Sequence, residues 1–233
     1  MVVEIEEEMK GQIIELFEPM LNDVTIHLFV KDHDCLYCND TTALVTQVSD
    51  LSEKVKLEIH KGDIKKGKAV EYGVEHVPAI VLHGQKEYKV RFYGIPAGHE
   101  FSALIGSIVD VSTGKPQLDL DIIEDISTID KPVHIQVFTT PQCPYCPGMV
   151  RLAHQAAILN PLIEADMIEA LEFQNLANKY AVFGVPKTIF NETVSAEGLT
   201  PPEMFLDKLY EAIGESEMCE RRYSHAYYFS KNP

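Results

Sequence analysis

Val133-His134-Ile135-Gln136-Val137-Phe138-Thr139-Thr140-Pro141-Gln142-Cys143-Pro144-Tyr145-Cys146 runs from a β-branched apolar stretch into a C-x-x-C pair. Behind it, Met149 to Leu159 carries apolar residues at helical spacing. The pair therefore falls where a strand hands over to a helix. Free backbone N–H groups and the positive end of a helix dipole at that place favour thiolate over thiol at Cys143. Cys146 lies one turn on, close enough to attack a mixed disulfide formed at the first sulfur. The chain contains a near copy. Val24-Thr25-Ile26-His27-Leu28-Phe29-Val30 leads to Cys35-Leu36-Tyr37-Cys38, with a helix expected from Cys38 through Leu44, Val45 and Val48 to about Leu51. Two dithiol/disulfide centres are thus the first expectation.

Composition agrees with functional rather than scaffolding cysteines. The chain has 233 residues, 45% of them hydrophobic, enough for a substantial core without cross-links. Four of its five cysteines fall in the two C-x-x-C pairs, which cannot staple distant elements. With 20 basic against 36 acidic residues, the formal charge of −16 repels phosphate backbones and anionic membranes, so neither nucleic acid nor a membrane surface is expected as a partner. Met1 to Glu8 lacks the basic and apolar regions of a secretory leader, and no apolar stretch is long enough to span a bilayer. A cytoplasmic location is expected.

The whole order of elements occurs twice. In the first half, an acidic amphipathic helix within Val3 to Leu21 precedes the Val24 strand. After the Cys38 helix come a strand over Val55 to Ile59, a short helix near Ala69, strands over Ala79 to Leu82 and Tyr88 to Phe92, and a helix from Glu100 to Val111. A second acidic helix, Leu118 to Ile129, then restarts the series. Cys35 and Cys143, Cys38 and Cys146, Tyr72 and Tyr180, and Pro78 and Pro186 are each 108 residues apart, which marks a tandem duplication. Gly94 and Gly198 are 104 apart, so the second copy is four residues shorter between its last two strands. Ser112-Thr113-Gly114-Lys115-Pro116 interrupts the helical pattern and sets the expected units at residues 1–114 and 115–233, the second including the C-terminal tail.

Strand, C-x-x-C, helix, strand, helix, Val-Pro, two strands and helix is the order of the thioredoxin fold. Over residues 1 to 214 the chain resembles the protein disulfide oxidoreductase family of archaea and thermophilic bacteria, glutaredoxin-like proteins of two fused thioredoxin-fold units. Cys143-Pro144-Tyr145-Cys146 is the glutaredoxin-type motif, and Gly94-Ile95-Pro96-Ala97-Gly98-His99-Glu100-Phe101 looks like a hallmark of the family. The resemblance implies an α/β protein of two tandem thioredoxin-fold units, each a mixed sheet flanked by helices. It implies redox-active disulfides Cys35 with Cys38 and Cys143 with Cys146, the first cysteine of each attacking and the second resolving. Pro78 and Pro186 match the family's cis-proline, beside which Val77 and Val185 offer backbone groups to an extended substrate. The implied function is a thiol:disulfide oxidoreductase that reduces, forms or isomerises protein disulfides, with no bound cofactor or metal. Its implied partners are protein disulfides, peroxiredoxin, and a thioredoxin-reductase-like flavoprotein as electron donor; no G-x-G-x-x-G nucleotide fingerprint is present in the chain itself.

Other readings accompany these. A dedicated peroxiredoxin-reducing module, like the N-terminal region of alkyl hydroperoxide reductase flavoproteins, is the alternative within redox chemistry; a four-cysteine zinc or interaction scaffold is the alternative outside it. Pro144 suits a first helical position, and Leu36 replaces it in the first pair. Asp32-His33-Asp34 precedes Cys35, so the two sites are expected to differ in potential, with Cys143 the more reactive. Glu58 and Asp166, also 108 apart, sit mid-strand and are expected to face solvent rather than serve as buried acids. His99 and Glu100 are expected to cap and charge a helix start, and Asp119, Asp121, Glu124 and Asp125 to form a solvated helix face. Cys219 lacks a partner in the repeat.

Overall fold

The computed structural model describes residues 4–215; Cys219 and most of the tail lie outside the described residues. The first unit contains α1 (Glu7–Phe17), β1 (Val24–Val30), α2 (Cys38–Ser49), β2 (Val55–Lys61), α3 (Lys68–Glu71), β3 (Ala79–His83), β4 (Val90–Tyr93) and α4 (Glu100–Thr113). The second repeats the series as α5 (Leu120–Thr128), β5 (Val133–Thr139), α6 (Cys146–Leu159), β6 (Ile163–Glu169), α7 (Gln174–Lys179), β7 (Lys187–Phe190), β8 (Val194–Glu197) and α8 (Pro202–Ala212). Gly114, in the left-handed region at φ 60°, ends α4 with its N–H on the Asp110 carbonyl.

The eight strands form one sheet in the order β2-β1-β3-β4-β6-β5-β7-β8. Within each unit the first two strands are parallel, joined through a crossover helix, and the remaining pairs are antiparallel. The units join where β4 pairs in parallel with β6, Val90 opposite Ala165 and Tyr93 opposite Ile168. That junction sets burial. β6 is buried along most of its length, whereas β2, its counterpart in the repeat, is an open edge and mostly exposed. In the same way β4 is buried throughout while β8 alternates between partly buried and exposed.

The alternation of each strand divides the core between the two sheet faces. Ile26, Leu28 and Val30 point into the larger cluster with residues of α1, α2, α4, α5, α6 and α8; Phe29 and Phe138 point into a smaller one closed by Ala69 of α3 and Ala177 of α7. Each such side chain, fully buried, contributes about 1.5–3 kcal/mol. Among the described residues no helix is long and apolar enough to cross a membrane. Asp119, Asp121 and Glu124 are exposed, as expected of a solvated face.

Two expectations fail here. The second-unit helix begins at Cys146, not Met149, and Pro147 rather than Pro144 occupies its first turn; Pro144 lies in the bend before Tyr145, the N-cap. Asp166 is 2% exposed, because β6 is an inner strand of the joined sheet, while Glu58 on the open edge does face solvent.

Candidate active sites

Each C-x-x-C lies in the turn between the C-terminal end of a parallel strand and the helix that follows. Cys35 is disulfide-bonded to Cys38, and Cys143 to Cys146, with Cα atoms 5.5 Å apart in both. The helices begin at the second cysteines, so Cys35 and Cys143 stand just in front of the N-termini rather than on them. Cys38 and Cys146 are buried beneath their partners, 3% and 0% exposed. The Lys31 N–H points at Cys38 Sγ, 3.5 Å away.

Both Val-Pro bonds, Val77-Pro78 and Val185-Pro186, are cis. In the second unit the Val185 carbonyl oxygen lies 3.6 Å from Cys143 Sγ, which brings the residues expected to work together into contact. In the first, Cys35 and Val77 pack on the same apolar cluster. Each proline carbonyl accepts a backbone N–H from the glycine opening the next loop, Gly94 to Pro78 at 2.9 Å and Gly198 to Pro186 at 2.8 Å. A cleft of about 340 Å³ is lined in part by Thr140, Leu171, Phe183 and Val185, the last of which contacts Cys143. Phe183 is 96% exposed, Tyr145 62% and Leu171 59%, so the rim of that site is apolar and open.

The sites are not equivalent in their surroundings. The stretch Gly94 to Glu100 of the first unit reaches across to the second site: the His99 N–H donates to the Pro141 carbonyl at 2.9 Å, and the Ile95 N–H to Glu172 Oε1 at 2.6 Å. Gly94, at φ 92°, lies so close to Glu169 and Glu172 that a Cβ would collide with both. Beyond it, α4 runs alongside α6, with Ser107 Oγ 2.9 Å from His154 Nδ1, Arg151 Nη2 donating to Asp110 Oδ2 at 2.6 Å and Gln155 Nε2 to the same oxygen at 3.0 Å. β4 and β5 point the same way and each leads into its helix, with Gly98 and His99 against Pro141 ahead of both helix starts, so α4 and α6 run parallel and the first turn of α4 lies level with the first turn of α6.

Glu100 occupies that turn and is 1% exposed, with neither carboxylate oxygen hydrogen-bonded. Burial pushes its pKa up to about 8. Instead of charging the helix start as expected, it is an acid held in its neutral form by an apolar site. Burial likewise pushes Glu172 up to about 7 and raises Glu169, with Glu169 opposite Thr139 at the end of β5. None of the three stands out from sequence as a buried acid. For Glu100 a signal exists: it precedes the buried Ala103 and Leu104 by three and four positions, on the apolar face of its helix.

β1 and β5 point the same way, since β1 is antiparallel to β3, β3 to β4, and β4, β6 and β5 are mutually parallel. Both sites therefore open at one end of the sheet. Four strand spacings separate β1 from β5, about 19 Å. That separation, and the closure of each pair on itself, is incompatible with one zinc ion held by all four cysteines.

The thioredoxin domain family matches twice, over residues 24–106 and 133–211. A protein disulfide oxidoreductase from Aeropyrum pernix K1 superposes with a TM-score of 0.85 at 32% identity, covering 91% of this chain and 96% of that one. The alkylhydroperoxide reductase AhpF from Enterococcus faecalis superposes at 0.82 with 26% identity, covering 88% and 99%. In sequence, the NADH dehydrogenase of Bacillus subtilis is 24% identical over 93% of this chain, and the AhpF-type alkyl hydroperoxide reductase of Staphylococcus aureus 26% over 90%. The chain spans only 40% and 38% of the lengths of those two proteins. With two family matches lying on two like-ordered halves of one sheet, each holding a closed C-x-x-C disulfide, the chain belongs to the thioredoxin-domain family as a tandem of two thioredoxin-fold units.

Proposed function

We propose that the protein is a thiol:disulfide oxidoreductase acting on protein disulfides, with Cys35, Cys38, Cys143 and Cys146 as its catalytic residues and Val77, Pro78, Val185 and Pro186 as its substrate-docking backbone. The observation that carries this is the second site, where a closed disulfide at a helix mouth stands 3.6 Å from the Val185 carbonyl on an open apolar rim. In the reducing direction, Cys143 thiolate attacks one sulfur of a substrate disulfide and expels the other as a thiolate, which takes up a proton. Cys146 thiolate then attacks Cys143 sulfur and expels the second substrate thiolate. Two electrons pass from the dithiol to the substrate, and the protein is left as the disulfide seen here. Oxidation is the same sequence reversed. The first pair does the same chemistry with its own partner, since about 19 Å separates the sites.

A flavoprotein electron donor and a peroxiredoxin acceptor belong to this proposal, supported by the likeness to AhpF-type alkyl hydroperoxide reductases. The same likeness favours, as a second reading, a module dedicated to that one transfer. A cytoplasmic location is supported by cysteine use, four of five residues lying in exchange-competent pairs rather than in a scaffold. The division into units 1–114 and 115–233 is supported by the left-handed C-cap of α4 at Gly114.

Insulin reduction by the dithiothreitol-reduced protein tests the proposal. Cys35→Ser and Cys143→Ser should each lower turnover and the double variant should abolish it, while the remaining first cysteine is alkylated faster when it is Cys143. Turnover by the double variant equal to that of the parent would remove the cysteines from the mechanism.

A further inference from the structure

The outer part of the sheet carries a second cluster of donor atoms, independent of the cysteines. His27 of β1 lies directly opposite Glu58 of β2 in the parallel register, and His60 follows two residues later, so all three side chains project from the same face. His27 Nδ1 is 3.1 Å from His60 Nε2. Glu58 Oε2 is 3.4 Å from the first nitrogen and 3.7 Å from the second.

Those separations are the ones that a small tetrahedral cation needs. Two ligand atoms each about 2.1 Å from a tetrahedral zinc lie about 3.4 Å apart. For the triangle formed here, a point about 2.1 Å from all three atoms exists less than about 1 Å out of their plane. Two imidazoles and one carboxylate are a donor set for zinc and its divalent first-row neighbours, not for calcium or magnesium. The imidazoles are braced by ring packing: His60 stacks on Phe29 with centroids 4.6 Å apart, and His27 is flanked by Tyr72 and His83, each at 4.9 Å. His60 also lines an open cleft of about 360 Å³, through which an ion can enter.

A cation already stands beside the carboxylate. Lys68 Nζ donates to Glu58 Oε2 at 2.7 Å from a side chain 44% exposed. Its exposure lets it swing out when a divalent ion takes its place against the same oxygen.

We infer that His27, Glu58 and His60 form a binding site for a divalent transition-metal cation of the zinc class, which pins the edge strand β2 to β1 and competes with Lys68 for Glu58. The inference is separate from the thiol chemistry and survives its failure.

Zinc uptake by the full chain with both disulfides closed, in a Cys219→Ser background, tests it by titration calorimetry. Cobalt serves as a second probe, because nitrogen and oxygen ligation gives no thiolate charge-transfer absorption. One equivalent of zinc should bind, with affinity at least about ten-fold lower in His60→Ala and in Glu58→Gln and a few-fold higher in Lys68→Met. His60 and Glu58 sit on the edge strand, and circular dichroism of the variants verifies their fold. No saturable uptake by the oxidised protein, or uptake by folded His60→Ala equal to that of the parent, overturns the site.

Discussion

Glu100 stands one position after His99, whose N–H reaches the Pro141 carbonyl of the second unit. Its carboxyl is buried without a hydrogen-bond partner, and that burial raises its pKa to about 8. An unfolded glutamate titrates near 4.3, so between that value and about 8 the folded state holds one more proton than the unfolded state. Stability must therefore fall as pH rises through this window, by up to roughly 1.4 kcal/mol per pH unit from this one group, and level off above it. Glu100→Gln keeps the size of the side chain and removes the titration. Urea unfolding of the disulfide-closed protein from pH 5 to pH 9 should give a flatter stability profile for the variant, which should exceed the parent at the alkaline end. Parallel profiles for the two proteins would mean that Glu100 is not held neutral by its site.

At the scale of elements, the decisive event is the pairing of β4 with β6. It places Arg91 of one unit against Asp166 of the other, Nε to Oδ1 at 2.6 Å, with Arg91 Nη2 donating to Glu164 at 2.8 Å and His134 Nε2 2.5 Å from Asp166 Oδ2. Burial pushes the Asp166 carboxyl up, but Arg91 and His134 more than reverse this and hold it below the usual carboxylate range. Removing one partner of a buried pair leaves the other charge unpaired, at a cost of about 3–5 kcal/mol. Asp166→Asn leaves Arg91 only the partly exposed Glu164 as counter-charge, so it should lose about 3 kcal/mol, the lower end of that range, in urea melts at pH 7, and adding Arg91→Met should restore a large part of it; simple additivity of the two losses would show that the pair is not coupled. The same junction explains what the sequence can and cannot reveal. The strands of both units, the disulfide turns and the repeat register are legible, because alternation and the 108-residue echo are local or self-referential signals. Glu58 and Asp166 look alike in sequence for the same reason: strand periodicity says which residues share a face, not whether another strand will cover it. Only the joined sheet makes one of them an exposed edge residue and the other a buried ion. Glu100 differs, since its place on the apolar face of α4, three and four positions before the buried Ala103 and Leu104, is legible in the sequence.

Over the whole molecule, the joined sheet turns two small units into one structure with two mouths on the same side. The larger apolar cluster draws residues from α1, α2 and α4 of the first unit and from α5, α6 and α8 of the second without a break at the unit boundary, and α4 packs on α6 through the Asp110, Arg151 and Ser107, His154 contacts. A separated first unit would expose β4, whose four residues are all buried here, as an unpaired apolar edge, and a separated second unit would expose β6 in the same way. Neither unit can therefore lose its fold without stripping cover from the other, and cooperativity should extend across the chain. Equilibrium unfolding in urea should give one transition, with far-ultraviolet circular dichroism and tyrosine fluorescence coinciding and an m-value appropriate to the full chain rather than to half of it. Truncated chains ending at Gly114 or starting at Lys115 should self-associate through the bared strands. Two resolved transitions, or soluble monomeric halves, would show that the β4–β6 pairing is a contact between independent units. The sites would then be free to move relative to each other, instead of being held about 19 Å apart along one sheet.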